Sequence, residues 1–272
     1  MGRGRTTTTL TRVFDTAEGT ATRDPATLAV EEPLEIRLDD HLVATTMRTP
    51  GHDFELAVGW CHAEGLLDGA PVETVRYCGT GSAVDTAFNI VSVSTGGRAP
   101  TPAARLGSTS TSCGLCGSDS IDELIERIAP LATPVTFDVD TLVRVPDAMR
   151  DTQDLFGDTG AVHAAAAFDT GGEMAVVRED IGRHNAVDKV VGHLLLGGRV
   201  PAHGLGLAVS GRASFEIVQK AWAAGFSTVV AVSAPSALAV EAARRAGITL
   251  AGFARAGSLR LYTGELADRA TA

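Results

Sequence analysis

The chain has 272 residues, 44% of them hydrophobic and 21% charged, which is the composition of a folded protein long enough to bury a large core. Its formal net charge of −10 argues against a general surface for nucleic acid or anionic membranes, while leaving room for a local basic pocket. No apolar stretch reaches the ~20 residues that a membrane span needs. Four cysteines suit a reducing compartment, so we expect a cytoplasmic protein.

The N-terminal residues read Met1-Gly2-Arg3-Gly4-Arg5 and are followed by a run of threonines. Positive charge without a hydrophobic stretch after it is not the pattern of a secretory signal. Short polar termini of this kind are commonly poorly ordered. The sequence therefore predicts a disordered tail over residues 1–24.

Residues 25–105 are predicted to form a smaller α+β part. Leu34, Ile36 and Leu38 alternate with polar residues and are followed by an Asp39-Asp40 turn, which indicates a β-hairpin. Three further elements are expected before the next segment: a helix from Asp53 to near Gly65, and strands over 72–77 and 87–93.

The next segment, 106–119, is predicted to be a mobile loop that carries Cys113 and Cys116 as a Cys-x-x-Cys pair. Ser120 and Glu123 then form a capping-box pattern at the start of a helix. The partial positive charge of a helix N-terminus and the Cys-x-x-Cys spacing both favour the thiolate form of cysteine. The thiolate is the form that attacks, carries sulfur or binds metal, so this loop is typical of sulfur chemistry.

Three other interpretations of the cysteine pair stay open: half of a zinc site, a redox dithiol, or two unreactive thiols. An all-cysteine zinc site needs Cys61 and Cys78 to converge on the loop. Cys61 lies in an apolar run and is typical of a small buried residue, whereas Cys78 precedes a Gly-Thr-Gly turn. The flexible, Pro-rich residues before Cys113 are unlike the strand that precedes a thioredoxin dithiol.

Residues 120–264 are predicted to form an α/β core, followed by a second tail over 265–272. Strands and helices alternate in this region, which implies a mainly parallel sheet with helices on its faces. The predicted strands cover 174–177, 205–209, 228–232 and 248–253, and the predicted helices cover 186–196, 212–224 and 236–246.

In such sheets, ligands bind where strands end and helices begin. The turn Ser210-Gly211-Arg212-Ala213-Ser214 combines a glycine, hydroxyls and a cation at a helix start, which favours phosphate binding. Ser233 and Ser236 in the following turn are better explained as helix caps. The turn Phe253-Ala254-Arg255-Ala256-Gly257-Ser258 adds another cation at the same sheet edge.

The densest polar cluster runs from Arg178 to Asn185, with Lys189 one helical turn later. A solvated loop with an Asn cap explains single members, but the group as a whole indicates a site. Within it, His184 and Lys189 offer protonable contacts to an anion. His163 lies among small, mostly apolar residues and is expected to be a buried, hydrogen-bonded core histidine.

Taken together, the motifs resemble those of the formate dehydrogenase accessory sulfurtransferase family, FdhD. Each motif is weak by itself, but their order along the chain is highly specific, and the resemblance covers about residues 31 to 263. Thr159-Gly160-Ala161 departs from the family's Thr-Gly-Gly by one small-for-small change. The motifs that carry the resemblance are Glu32-Pro33-Leu34-Glu35-Ile36-Arg37, Met47-Arg48-Thr49-Pro50-Gly51, Cys113-Gly114-Leu115-Cys116-Gly117, Arg178-Glu179-Asp180-Ile181-Gly182-Arg183-His184-Asn185-Ala186-Val187-Asp188-Lys189 and Ser210-Gly211-Arg212-Ala213-Ser214.

The resemblance implies a sulfurtransferase that accepts persulfide sulfur from a cysteine desulfurase and passes it to the molybdenum of a bis(molybdopterin guanine dinucleotide) cofactor, for formate dehydrogenase. It also implies a three-layer core like that of the cytidine deaminases, a homodimer, and no tightly held metal. By position, Cys113 is the persulfide carrier and Cys116 its neighbour. Together with the turns described above, the resemblance places the cofactor against Arg183, His184, Asn185, Lys189, Ser210, Gly211, Arg212, Ser214 and the segment Phe253-Ala254-Arg255-Ala256-Gly257-Ser258.

One departure from the family supplies a rival function. His62 stands on a helix that usually lacks a histidine, and His62 and Glu64 followed by Cys113 and Cys116 match the pattern of zinc nucleoside deaminases. Against that match, Ser112 replaces the proline expected before the first cysteine. A zinc-dependent hydrolase is therefore one alternative, and a non-catalytic protein that only holds the cofactor is another.

Overall fold

The computed structural model describes residues 4–78, 88–102, 130–132, 134–255 and 257–267. Within these ranges the chain forms three β-sheets and six α-helices. Two of the sheets are packed against helices, and the third is a two-stranded hairpin. No helix in the described ranges is long and apolar enough to cross a lipid bilayer.

The chain begins with a long hairpin. Strand β1 (Thr6–Asp15) pairs antiparallel with strand β2 (Thr20–Ala29), so the predicted disordered tail over 1–24 is wrong for most of its length. The threonine run is β-branched and favours extended backbone, and Gly19 adopts a φ of 62° in the connecting turn. The prediction gave more weight to the low hydrophobicity of this segment than to its β-propensity.

The N-terminal part is a four-stranded sheet with a helix packed against it. The strands are β3 (Glu32–Leu38), β4 (His41–Arg48), β5 (Thr74–Tyr77) and β6 (Ile90–Ser94), in the order β4-β3-β6-β5, and the helix is α1 (Asp53–Ala63). Alternate residues of β3 are buried with the apolar side chains of α1 in one core. The predicted hairpin, helix and two strands are confirmed here.

The larger sheet has six strands, which are β7 (His163–Phe168), β8 (Met174–Asp180), β9 (Gly206–Val209), β10 (Thr228–Ala231), β11 (Thr249–Arg255) and β12 (Ser258–Thr263). Their order is β12-β11-β10-β9-β7-β8. Strand β10 runs parallel to β9 and β11, but every other neighbouring pair is antiparallel. The prediction of a mainly parallel sheet is therefore wrong, because short turns join β7 to β8 and β11 to β12 and such turns permit only antiparallel pairing.

Helices cover both faces of the larger sheet, which gives this part of the chain three layers. One face carries α4 (Arg183–Leu196), α5 (Phe215–Ala224) and α6 (Ala237–Ala246), and the other carries α2 (Val139–Arg150). A short helix, α3 (Asp154–Thr159), precedes β7. The residues of β7 alternate between the two cores, as those of a strand between two helical layers must.

The sequence did not predict α2, β7 or β12. Helix α2 contains Pro146, which ordinarily ends a helix, and β7 is a run of four alanines with little β-propensity. The predicted tail over 265–272 is also wrong at its start. Leu266 packs against the core beside α2, and the amide of Ala267 donates to the carbonyl oxygen of Phe137 at 2.9 Å.

Helix α1 joins the N-terminal sheet to the core by lying very close to α4. A Cβ placed on Gly59 of α1 would overlap with the carbonyl oxygen of Asp188, and a Cβ placed on Gly192 of α4 would overlap with the carbonyl oxygen of Glu55. Because both contacts are with backbone, no side-chain rotation relieves them. Glycine at these two positions is what allows the helices to approach so closely.

We expect Gly59→Ala to lower the free energy of unfolding by about 1–3 kcal/mol, the usual cost of overpacking a core. Urea unfolding followed by circular dichroism measures this. Gly157→Ala in α3 is the matched control, since a Cβ there meets nothing within 4 Å. That control is expected to be neutral or to stabilise by up to about 1 kcal/mol. Equal effects of the two substitutions would contradict the close helix contact.

Candidate functional site

The turns predicted to bind ligand lie along one edge of the larger sheet. Strand β7 is antiparallel to β8 and β9, so its first residue, His163, and the last residue of β8, Asp180, lie at the edge where β9, β10 and β11 end. Backbone hydrogen bonds connect the turns. The amide of Ser233 donates to the carbonyl oxygen of Gly211 at 3.3 Å, and the amide of Phe253 donates to that of Ser233 at 3.1 Å. The structure thus brings together the three predicted turns and the charged cluster.

Two cationic or protonable side chains border the backbone of the turn that follows β9. A Cβ placed on Gly211 would lie 3.4 Å from Nδ1 of His163 and 4.0 Å from Cδ of Arg183, so both side chains border this glycine. The hydroxyl of Ser210 accepts a hydrogen bond from the amide of Ala164 at 2.9 Å, which fixes the turn to β7. This hydrogen bond positions the start of the turn, which leads into the N-terminus of α5, a place that favours an anion.

Ser214 occupies the N-cap of α5, but its hydroxyl caps no amide of that helix. The hydroxyl oxygen instead lies 3.2 Å from Nε2 of His184. The other ring nitrogen, Nδ1, lies 3.2 Å from Oε2 of Glu216. A hydroxyl, an imidazole and a carboxylate therefore form a row at the start of α5, and the exposed Arg212 lies two residues before the N-cap.

A buried ion pair lies behind this row. Nζ of Lys220 lies 3.8 Å from Oε1 of Glu216 and donates to both carboxylate oxygens of Asp188, at 2.8 and 3.1 Å. Burial raises the pKa of Glu216 to about 7. Burial, reinforced by Arg183 and Lys220, lowers the pKa of His184 to about 3. His184 is therefore neutral at physiological pH, with one ring nitrogen that donates and one that accepts.

Asp180, at the end of β8, is fully buried and completely hydrogen-bonded. Its Oδ2 contacts Nζ of Lys189 at 2.7 Å and the amide of Thr49 at 3.1 Å. Its Oδ1 accepts from the amide of Gly182 at 2.8 Å and from Nδ2 of Asn185 at 3.0 Å. The carboxylate thus joins the charged cluster to the turn that follows β4.

Asn185 and Lys189 both donate hydrogen bonds to the backbone where β4 ends and the chain turns towards α1. Nδ2 of Asn185 also donates to the carbonyl oxygen of Met47 at 2.8 Å, and Nζ of Lys189 donates to that of Thr49 at 3.0 Å. The sequence predicted both residues as ligand contacts and gave no sign of these partners. The structure gives them a role in holding the N-terminal part on the core.

Arg183 and His163 form the half-buried part of the edge. Nε of Arg183 has no hydrogen-bond partner among the described residues although it is buried. His163 is half-buried, not enclosed in the core as predicted, and burial followed by the charge of Arg183 lowers its pKa. An unsatisfied guanidinium nitrogen beside a neutral imidazole is suited to an anionic or hydrogen-bonding ligand.

The third turn is shorter than predicted. Strand β11 continues through Arg255, and β12 begins at Ser258. Phe253 adopts a φ of 52°, in the left-handed region, within the register shift between β11 and β12. Of the residues predicted here, Arg255, Gly257 and Ser258 are exposed, Ala254 is buried, and Ala256 lies outside the described residues.

Cys113 and Cys116, with the predicted loop over 106–119, lie outside the described residues. The rival zinc site draws on His62, whose Nε2 donates to the carbonyl oxygen of Ala223 at 3.0 Å. In the described part of the chain, no three His, Cys, Asp or Glu side chains are grouped so as to hold a metal ion. Nothing in that part supports a zinc site built on His62 and Glu64.

Two residues predicted to be purely structural are confirmed as such. Cys61 is fully buried on α1, and burial raises the pKa of its thiol to about 12, so it is not a thiolate at physiological pH. The hydroxyl of Ser236 accepts a hydrogen bond from the amide of Ala239 at 3.2 Å and caps α6.

The sequence did not identify Glu216, Lys220 or the contact between Thr49 and Asp180. Glu216 lies two residues after Ser214, the last residue of the Ser210–Ser214 motif, and this spacing was the available signal. Ser214 and Glu216 both contact His184, which lies at the start of the neighbouring helix α4. The pairing was therefore decided by how α4 and α5 pack.

The fold and this edge together define a class of protein. It is a mixed α/β protein with a three-layer core. Turns that are rich in serine, glycine and arginine and lead into helices lie at one end of that core. Comparison with known families agrees with that description. The family model described as FdhD/NarQ matches residues 29–269, and the chain belongs to this family.

Relatives across bacteria share most of the chain's length. A protein of Mycobacterium tuberculosis is 48% identical over 257 residues, covering 91% of this chain and 92% of its own, and one of Corynebacterium efficiens is 45% identical over 251 residues, covering 89% and 91%. Both carry the name sulfur carrier protein FdhD. The crystal structure of a protein described as a formate dehydrogenase accessory protein, from Desulfotalea psychrophila, has the same fold, with a TM-score of 0.76 at 24% identity over 96% of this chain and 98% of the other.

His184 makes stability depend on pH in a defined window. Its pKa is lower in the folded protein than the ordinary 6.5, so between pH 6.5 and about 3 the unfolded chain binds more protons and stability falls as pH falls. We expect the difference in unfolding free energy between wild type and His184→Gln to shrink by at most about 1.4 kcal/mol per pH unit from pH 6.5 to 4.5.

Urea unfolding at pH 6.5, 5.5 and 4.5 measures this difference. Glu216 titrates in the opposite sense but is present in both proteins, so the comparison isolates the imidazole. His41→Gln, on the exposed start of β4, controls for the loss of a histidine. A constant difference between wild type and His184→Gln would show that the folded protein does not hold this imidazole neutral.

Proposed function

We propose that the protein is a sulfur carrier that takes persulfide sulfur from a cysteine desulfurase on Cys113 and passes it to the molybdenum of bis(molybdopterin guanine dinucleotide), for the maturation of formate dehydrogenase. The observation that carries this proposal is the family membership together with relatives that are 45–48% identical and named sulfur carrier proteins. The chain's own Cys113-Gly114-Leu115-Cys116 pair supplies the chemistry such a carrier needs.

The sulfur chemistry balances with the two cysteines and a cellular thiol that restores them. The Cys113 thiolate attacks the outer sulfur of the desulfurase persulfide, a new S–S bond forms, and the desulfurase cysteine leaves as a thiolate. Attack of the Cys116 thiolate on the inner sulfur of the Cys113 persulfide then releases hydrosulfide and leaves a disulfide. The two electrons that reduce the outer sulfur come from the dithiol, which a cellular thiol must later restore.

The sheet edge is where we place the guanine nucleotide of the cofactor. Its phosphates would meet the amides at the start of α5, the hydroxyl of Ser214 and the cations Arg183, Arg212 and Arg255. His184, held neutral, positions the Ser214 hydroxyl without adding charge to the site. Asn185 and Lys189 support this edge from behind, because their polar atoms already bind the turn after β4.

The proposal implies particular partners and surroundings. A cysteine desulfurase must dock beside the 106–119 segment, and the catalytic subunit of formate dehydrogenase must receive the finished cofactor. The first of these exchanges passes a reactive persulfide between proteins, which fits the reducing cytoplasm expected from the composition. The family resemblance further proposes a homodimer.

The carrier role predicts a mass change on one cysteine. Incubation with a cysteine desulfurase and cysteine should add one sulfur, about 32 Da, to the intact protein. We expect Cys113→Ala to abolish the gain and Cys78→Ala, the control, to retain it. A gain that survives Cys113→Ala would contradict the assignment, and no gain with intact nucleotide binding would favour a protein that only holds the cofactor.

The nucleotide placement predicts binding of GDP at the edge. Arg212→Ala should weaken GDP affinity at least about tenfold by isothermal titration calorimetry, because a hydrogen bond to a charged group contributes about 1.5–3 kcal/mol. Arg244→Ala is the control, since Arg244 is equally exposed but lies in the last turn of α6, away from the strand ends. Equal affinities of both variants would remove Arg212 from the site.

A further inference from the structure

Glu216 is the acidic member of the row at the start of α5, and one of its oxygens lacks a hydrogen bond. Oε2 is buried and has no hydrogen-bond partner among the described residues, although Nδ1 of His184 lies 3.2 Å away. Oε1 lies 3.8 Å from Nζ of Lys220, which donates to Asp188 instead. Because buried carboxylates in proteins are ordinarily supplied with donors, Glu216 is poorly satisfied as an anion.

The charges around Glu216 come from three elements and oppose one another. Lys220 on α5 and Arg183 on α4 favour the carboxylate, whereas Asp188 on α4 and Glu64, just after α1, favour the acid. Burial is the largest cause and raises the pKa of Glu216 to about 7. The acid and the carboxylate of this side chain are therefore both populated near neutral pH.

The proton on Glu216 determines which nitrogen of His184 carries hydrogen. In a neutral imidazole one ring nitrogen donates and the other accepts, and the hydrogen bond made at one nitrogen sets the role of the other. When Glu216 is a carboxylic acid, its O–H donates to Nδ1 and the ring proton is on Nε2. When Glu216 is ionised, Nδ1 carries the proton and faces the carboxylate, so Nε2 becomes an acceptor.

The direction of the hydrogen bond at Ser214 follows from the tautomer of His184. Nε2 of His184 lies 3.2 Å from the Ser214 hydroxyl oxygen, and that hydroxyl caps no amide of α5. A donating Nε2–H occupies a lone pair of the hydroxyl and leaves its O–H able to donate to an anion. An accepting Nε2 takes that O–H instead, so an anion at the start of α5 loses one donor.

We propose that Glu216 is a positioning residue whose protonation controls anion binding at the start of α5. As an acid it donates to His184, His184 donates to Ser214, and Ser214 directs its O–H to the phosphate. As a carboxylate it reverses both hydrogen bonds and adds a negative charge near the ligand. Nucleotide binding therefore takes up a proton from solvent when Glu216 is ionised beforehand. This inference rests on the nucleotide site proposed above and gives that site a proton-linked control.

The pH dependence of nucleotide affinity tests this control. GDP-mannose is the probe, because its pyrophosphate is esterified at both ends and keeps its charge between pH 6 and 8. If only the acid form binds well, isothermal titration calorimetry should show an affinity about tenfold higher at pH 6 than at pH 8, as a pKa of about 7 requires. Glu216→Gln should remove this difference, because an amide does not titrate. Glu241→Gln, at a half-exposed glutamate of α6, is the matched control and should retain it.

Ser214→Ala separates the hydrogen-bond row from simple charge repulsion. An ionised Glu216 still repels an anion in that variant, but no hydroxyl remains to be reoriented. We therefore expect the affinity of Ser214→Ala for GDP-mannose to change clearly less between pH 6 and 8 than that of wild type. An undiminished change would show that Glu216 acts through its charge alone, which would overturn the positioning role.

Nitrogen-15 NMR of labelled histidine reports on the row without any nucleotide. His184, assigned with His184→Gln, should change from the Nε2–H tautomer at pH 6 to the Nδ1–H tautomer at pH 8, and should keep one tautomer in Glu216→Gln. A constant tautomer in wild type, or a doubly protonated ring at pH 6, would overturn this inference and leave the nucleotide site standing. A tautomer change without GDP-mannose binding at either pH would reject the nucleotide site itself, and its control with it. If Glu216→Gln does not fold, the wild-type titration and Ser214→Ala decide.

Discussion

The structure depends on one buried carboxylate, that of Asp180. It sits where the larger sheet ends, and all of its hydrogen-bonding capacity is taken by Lys189, Thr49, Gly182 and Asn185. A buried carboxylate without such partners would cost several kcal/mol, so the turn after β4 and the start of α4 are bound to the same point. The close contact of Gly59 and Gly192 extends this junction along the two helices.

Because this junction takes up Asp180, Asn185 and Lys189 of the charged cluster, the proposed ligand site depends on more weakly polar groups. The start of α5 presents backbone amides, a serine hydroxyl and a neutral imidazole, and the exposed cations Arg212 and Arg255 lie around it. Neutrality of His184 follows from burial and from nearby Arg183 and Lys220. An anion bound at this edge would accept hydrogen bonds at the start of α5 and would meet solvent-screened positive charges around it.

The predictions that failed did so for identifiable physical reasons. The threonine-rich start was predicted to be disordered because it has few large apolar residues, yet β-branched side chains and a glycine turn are enough to define a hairpin. The sheet was predicted to be mainly parallel because helices and strands alternate, but two of its strands were not predicted. Strand β7 is a run of alanines, and β12 is a short strand after a tight turn. Both missed strands add antiparallel pairs.

The sequence by itself determined the positions of most strands and helices, the family motifs, and the collection of serine, glycine and arginine at strand ends, because these depend on periodicity and local turn chemistry. It also determined that Cys61 is a buried hydrophobe and that Ser236 is a cap. Only the tertiary structure decided that Asn185 and Lys189 join two parts of the chain, and that Ser214, His184 and Glu216 form a row. Those roles depend on residues far apart in sequence meeting across packed helices, which no local pattern encodes.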